Sequence, residues 1–197
     1  MSAADPDLEA ARDRVAERFG TTAAPEVLSR LPRDAVRDAA LNLARGLDGD
    51  AALLPRGDRL LIALGVSSAV GARALSEWLA QAAAVAGKGE ADIDAARAVG
   101  VTCSTYNGYY KFRALTEGAP FAAAFETFQP ALRATPFVRS PLSKALVELI
   151  CIAVSVHNTC SHCVRGHVES AQAAGASAAT IDEAVRAGAV AGALARY

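Results

Sequence analysis

The chain has 197 residues, enough for one large domain or two small ones, and 52% of them are hydrophobic, so it can bury a full core. A formal net charge of −1, with acids and bases interspersed, leaves no electrostatic footprint for nucleic acid or anionic lipid. The first twenty residues alternate charge and alanine without an apolar signal region, and the longest strongly apolar run, about Ala145 to Val156, is interrupted by Glu148 and too short to span a bilayer. A cytoplasmic location is expected, where a Cys-x-x-Cys pair is catalytic or metal-binding more often than a permanent staple.

The chain reads as helices throughout, because Pro-, Gly- and Asn-rich breaks separate segments of helical period and no run sustains a period of two. Asp5-Pro6 forms a helix start, with a capping side chain followed by a proline whose missing N–H does no harm. Leu8, Ala11, Val15 and Phe19 then fall on one stripe. Leu31-Pro32 closes a short segment, and Asp34 to Leu47 carries the next helix, ending near Gly46. Asp58 to Leu64 opens a very apolar helix, and Gly65, Gly71 and Gly87 read as breaks after it. Cys103 reads as following a helix ended by glycine. The aromatic and basic stretch Asn107-Gly108-Tyr109-Tyr110-Lys111-Phe112-Arg113 reads as a core edge or interface, with a pocket lining as the functional option. Gly118-Ala119-Pro120 and Thr135-Pro136 mark a loop-rich connector.

The second half repeats the first at an offset of 88 residues. Leu61-Ile62 matches Leu149-Ile150, Val66-Ser67 matches Val154-Ser155, Ala86-Gly87 matches Ala174-Gly175, Ile93-Asp94 matches Ile181-Asp182, and Gly100 matches Gly188. The expected organisation is one all-helical domain over residues 1–197, with repeats at roughly 57–102 and 145–190. In this register Glu148, Cys160, Cys163 and His167 stand opposite Leu60, Ala72, Leu75 and Leu79. The chemistry therefore belongs to the second copy, and the first serves packing or assembly.

All three histidines, His157, His162 and His167, and two of the four cysteines, Cys160 and Cys163, lie within residues 157–167. With Asn158 or Thr159 at a helix N-cap, Cys160 sits in the first turn and Cys163 one turn later. Cys160, Cys163 and His167 then share one face. A helix N-terminus stabilises a thiolate, but nucleophilicity falls with pKa, so the net gain from tuning alone is only several-fold. Fast thiol redox chemistry also needs positioning and a proton for the leaving group, the latter worth about 10²–10⁴-fold. His167 and Glu148 are the candidates for that proton. Glu148, flanked by Leu146, Val147, Leu149 and Ile150, is expected to be desolvated and raised toward neutrality. The bland reading makes it solvent-facing or an arginine's partner. His162 lies to the side of the cysteine face and can orient the pair, meet a neighbouring subunit or simply be exposed. His157 reads as structural, Cys103 and Cys151 as inert packing residues, and Arg165 as solvated. Zinc held by Cys160, Cys163 and His167 with His162 or Glu148 is the rival chemistry, but such crowding on one short helix is unlike a zinc knuckle, and no metal set is expected.

Glu148 followed by Cys160-x-His162-Cys163-x3-His167 resembles the alkyl hydroperoxide reductase D family, within the carboxymuconolactone decarboxylase-like superfamily. Ala153-Val154-Ser155 and Asn158 fit the same pattern, while His157 stands where it expects an apolar residue. The resemblance extends over most of the chain. It implies an all-helical fold of two related halves, assembled as a homotrimer. It also implies reduction of hydroperoxides, and of an oxidised peroxiredoxin partner, with no bound cofactor. Electrons would come from dihydrolipoamide on a lipoylated dihydrolipoamide acyltransferase, recharged from NADH by dihydrolipoamide dehydrogenase. By motif position Cys163 would be the peroxidatic thiol and Cys160 the resolving one, cycling through a Cys160–Cys163 disulfide. Glu148, His167 and His162 would form the proton relay. The terminus argument instead favours Cys160 as the lower-pKa thiol, and the residues alone leave this open. The alternatives are a thiol–disulfide adaptor with little peroxidase activity, a decarboxylase-like enzyme and a metal-binding member of the superfamily.

Overall fold

Two stretches are apolar on every side, and they become the two central helices. The computed structural model, which describes residues 6–49 and 53–197, places them at α3 (Arg56–Ala69) and α8 (Lys144–His157). From Leu60 to Ser67 every residue of α3 is buried, as is every residue of α8 from Leu146 to Ser155. A helix without a polar face is stable only when enclosed, and each fully buried Leu, Ile or Val contributes roughly 1.5–3 kcal/mol. The enclosing shell is α1 (Pro6–Phe19), α2 (Arg33–Asp48), α4 (Arg73–Val85), α5 (Glu90–Thr116), α9 (Ser161–Ala173) and α10 (Ala178–Leu194). Short helices α6 (Ala123–Glu126) and α7 (Thr135–Val138) sit in the connector after α5, and a single 3-10 turn spans Glu26–Ser29. There is no strand among the described residues, and none of their helices is long and apolar enough to cross a membrane.

The amino-terminal elements follow the predicted pattern. Pro6 opens α1, while the cap expected from Asp5 lies outside the described residues. Ala11, Val15 and Phe19 are buried, and Phe19 meets the edge of Trp78 at 5.1 Å between ring centroids. The helix expected from Asp34 to Leu47 runs from Arg33 to Asp48.

The 88-residue offset recurs in the helix boundaries. Equivalent helices begin 88 residues apart: Arg56 and Lys144, Arg73 and Ser161, Glu90 and Ala178. Two close helix crossings keep the same offset. Gly100 of α5 rests on Gly65 of α3, where an added Cβ would stand 2.2 Å from the Gly65 carbonyl oxygen. In the other half Gly188 of α10 rests on Ala153 of α8, where an added Cβ would stand 2.7 Å from that of Ala153.

Two expectations are corrected here. Gly65 is not a break but an interior residue of α3, because its missing side chain admits a neighbouring helix. Cys103 does not follow a helix end. It lies inside the 27-residue α5, which runs through Gly100 because packing on α3 outweighs the glycine's poor helix propensity.

Candidate active site

The site is built where α8 turns into α9. Asn158 closes α8, and Thr159 takes a left-handed conformation with φ of 56°. The amide of Cys160 then donates to the Ser155 carbonyl and that of Thr159 to the Val156 carbonyl, the paired bonds of a Schellman turn. The first half makes the same turn with Gly71, φ 77°, where the Ala72 amide bonds Ser67 and the Gly71 amide bonds Ser68. A β-branched residue at positive φ is strained, and a polar network holds it. Lys111 of α5 donates from Nζ to the Asn158 carbonyl (3.2 Å) and Thr159 Oγ1 (3.0 Å). Asn158 Nδ2 donates to Asn107 Oδ1 (3.0 Å), and Asn107 Nδ2 to Ser155 Oγ (2.9 Å).

This turn corrects the expected cap. Asn158 and Thr159 are spent on ending α8, so Cys160 occupies the N-cap of α9 and Cys163 its first turn. Both cysteines therefore lie at the positive end of the α9 dipole. The two cysteines are joined as a disulfide, with Cα atoms 5.3 Å apart. Cys160 is almost completely buried, and Cys163 keeps 7% of its surface accessible.

One turn beyond Cys163, His167 reaches back to α8, where its Nδ1 lies 2.6 Å from Glu148 Oε2. Lys144, one turn before Glu148 on the same helix, pairs with the other carboxylate oxygen. Glu148 is 4% exposed, so the desolvated position expected from its apolar neighbours is the one it occupies. The direction of its pKa is the reverse of that expected. Burial pushes the carboxyl up, but the hydrogen bonds and positive charges of His167 and Lys144 outweigh it and hold it below its ordinary value. Burial likewise pushes His167 down, while hydrogen bonding and charge from Cys103 and Glu148 lift it to about 9. Both shifts favour the imidazolium–carboxylate form of the pair.

His162 is exposed and packs on Tyr110 at 5.1 Å between ring centroids. It borders a groove of about 380 Å³ lined by Tyr110, Arg113, Phe125, Ser161 and Arg165. The stretch 107–113 thus contributes to the surroundings of the cysteines, through buried Asn107 as well as Tyr110 and Lys111. His157 is removed from this group: its ring lies over Gly192 of α10, and burial with the nearby Arg196 charge holds its pKa down. Phe137 of α7 closes over His167 at 6.2 Å between centroids.

Sequence reasoning missed Lys144, although its i,i+4 spacing to Glu148 was readable. It also missed the surroundings of Cys103 and Cys151, for which no local signal exists. The Cys103 thiol donates to the Cys151 carbonyl at 3.5 Å and lies 3.5 Å from Ser155 Oγ. Hydrogen bonding to Cys151 pulls the Cys103 pKa down, despite burial, and pushes that of Cys151 up.

Comparison with known proteins bears on this geometry. Residues 119–197 match the model of the carboxymuconolactone decarboxylase family. The chain is 35% identical over 163 residues to a protein named alkyl hydroperoxide reductase AhpD from Anaeromyxobacter dehalogenans (strain 2CP-1 / ATCC BAA-258), covering 80% of this chain and 85% of the relative. It is 32% identical over 162 residues to the protein of that name from Rhodopseudomonas palustris (strain BisA53), covering 82% and 85%. A third, from Bradyrhizobium sp. (strain BTAi1 / ATCC BAA-1182), is 31% identical over 154 residues, covering 78% and 81%.

Proposed function

The chain belongs to the alkyl hydroperoxide reductase D family, within the carboxymuconolactone decarboxylase-like superfamily, and from that membership we propose that it is an antioxidant thiol peroxidase reducing alkyl and other organic hydroperoxides. The observation that carries the reading is the Cys160–Cys163 pair at the start of α9, one turn from a histidine that is itself paired to a buried carboxylate.

Cys163 is the attacking thiol in this proposal, since it occupies the first helical turn and is the less buried of the two. Its thiolate attacks the peroxide O–O bond, giving a Cys163 sulfenic acid and an alkoxide. His167, protonated and oriented by Glu148, supplies the proton that turns the alkoxide into alcohol. The Cys160 thiol then condenses with the sulfenic acid to form the disulfide and water. Dihydrolipoamide reduces that disulfide by two thiol exchanges and leaves as lipoamide. His162, expected in the proton relay but lying beside the groove with Tyr110 and Arg113 and not in the Glu148–His167 pair, is proposed instead to orient the incoming reductant. The reductant is proposed to be lipoyl groups of a dihydrolipoamide acyltransferase, recharged through dihydrolipoamide dehydrogenase, and the reduced pair to serve a peroxiredoxin as well. The enzyme is proposed to work as a homotrimer without a bound cofactor.

The test is a coupled assay with purified protein, cumene hydroperoxide, lipoamide, dihydrolipoamide dehydrogenase and NADH. NADH oxidation is expected to require both peroxide and Cys163, and to disappear in Cys163→Ser. Oxidation of NADH only when a disulfide protein replaces the peroxide would make the chain a thiol–disulfide adaptor instead.

A further inference from the structure

Next to His167 lie two soft donors, Cys103 and Cys151, that the proposed reaction does not use. Cys103 comes from α5, Cys151 from α8 and His167 from α9, and one ligand atom of each lies within 4.8 Å of the other two. Both cysteines are free thiols and almost wholly buried. We propose that Cys103, Cys151 and His167 form a binding site for one soft closed-shell metal ion, copper(I) ahead of zinc.

The donors decide the class of ion. Two thiolates and an imidazole are soft to borderline ligands, which select copper(I) or zinc and disfavour magnesium or calcium. The spacing fits as well. With metal–sulfur bonds near 2.3 Å, trigonal ligands stand about 4 Å apart, so side-chain shifts of under about 1 Å close the cluster on an ion. Zinc prefers four such ligands, and the cluster among the described residues offers three. Ser155 Oγ and Asn107 Oδ1, 3.5 and 3.9 Å from the Cys103 sulfur, are neutral oxygens that suit zinc poorly. Copper(I) is satisfied by three soft donors.

The surroundings are arranged as they are around bound metals. Glu148 holds Nδ1 of His167, the carboxylate–histidine pairing that orients an imidazole and leaves Nε2 for the ion. Asn107 Nδ2 donates to Ser155 Oγ, which frees the serine hydroxyl to donate to the Cys103 sulfur. Because His167 belongs to both clusters, an ion here withdraws its imidazole from the neighbouring disulfide site. The metal and the proposed proton transfer therefore exclude one another.

The experiment separates this site from the more accessible dithiol. Reduced protein carrying Cys160→Ser and Cys163→Ser is titrated anaerobically with copper(I) against the chromophoric chelator bathocuproine disulfonate. One equivalent is expected to be retained, with an X-ray absorption spectrum showing sulfur and nitrogen neighbours. Adding Cys103→Ser or Cys151→Ser is expected to abolish retention, with helicity by circular dichroism checking each fold. Should either variant unfold, the absorption spectrum of the Cys160→Ser/Cys163→Ser protein decides alone. Failure of that protein to hold copper(I), retention after both buried cysteines are replaced in a folded protein, or a spectrum without sulfur overturns the site. Preference for zinc over copper(I) overturns the choice of ion. None of these readouts depends on peroxidase activity, so this site and the proposed function stand or fall separately.

Discussion

His167 keeps its proton through the neutral range because two neighbours reward the charged ring more than burial penalises it. The consequence for stability follows from the signs of the shifts. The His167 pKa, about 9, lies above the ordinary value of about 6.5, so its contribution is complete below about pH 6.5 and is lost as pH rises through about 9. Glu148 is shifted the other way, so its contribution is present above the ordinary carboxyl value and is lost as pH falls below it. The ion pair is therefore intact at neutral pH and fails at both extremes. If His167 is the acid of the proposed reaction, kcat falls as pH rises through about 9. His167→Ala is expected to lower kcat by about 10²-fold or more and to remove that alkaline fall. Measuring kcat against pH for both proteins checks this, and an alkaline limb surviving in the variant would mean that another group supplies the proton.

At the level of helices, the glycines separate crossing points from mere breaks. Gly100 faces the backbone of α3, which cannot move aside as a flexible side chain can. Gly100→Ala is expected to destabilise the fold by about 1–3 kcal/mol or more through overpacking. Gly166 of α9 has nothing within 4 Å of the added atom, and Gly166→Ala is expected to stabilise by about 0.5–1 kcal/mol. Chemical denaturation of both variants tests the pair, and equal effects would show that the helix crossing is not the constraint. Such contacts also explain what could be read from the sequence. The periodicity of α1 and α2, the all-apolar character of α3 and α8 and the shared face of Cys163 and His167 are local properties. The passage of α5 through Gly100 is not local, since it depends on a partner 35 residues away at Gly65. The Glu148 pKa depends on His167 across a turn, and the shift of the N-cap to Cys160 depends on Thr159 accepting a positive φ. The meeting of Cys103 and Cys151 with His167 required three helices to be in place.

Across the molecule, the Cys160–Cys163 pair stands at the start of α9, so the amino-terminal helices and the connector are free to serve other contacts. The connector is the more suggestive of the two. Phe125 meets Phe112, Phe121 and Phe128 at centroid distances of 5.3, 6.3 and 6.4 Å, and those three remain 46–59% exposed. Leu115, one turn beyond Phe112 on α5, is 76% exposed. Isolated exposed apolar residues are ordinary, but a contiguous aromatic group is a candidate contact surface. It adjoins the groove that His162 shares with Phe125 and Arg165, so a neighbouring subunit seated on it would stand beside the thiols and help exclude water from them. This is where the proposed homotrimer is expected to form its interface. Sedimentation equilibrium should give a mass near three times the 20.2 kDa chain, and the double variant Leu115→Asp/Phe121→Asp should give a folded monomer. A wild-type chain that sediments as a monomer would remove the trimer, and a double variant that remains trimeric would place the interface elsewhere.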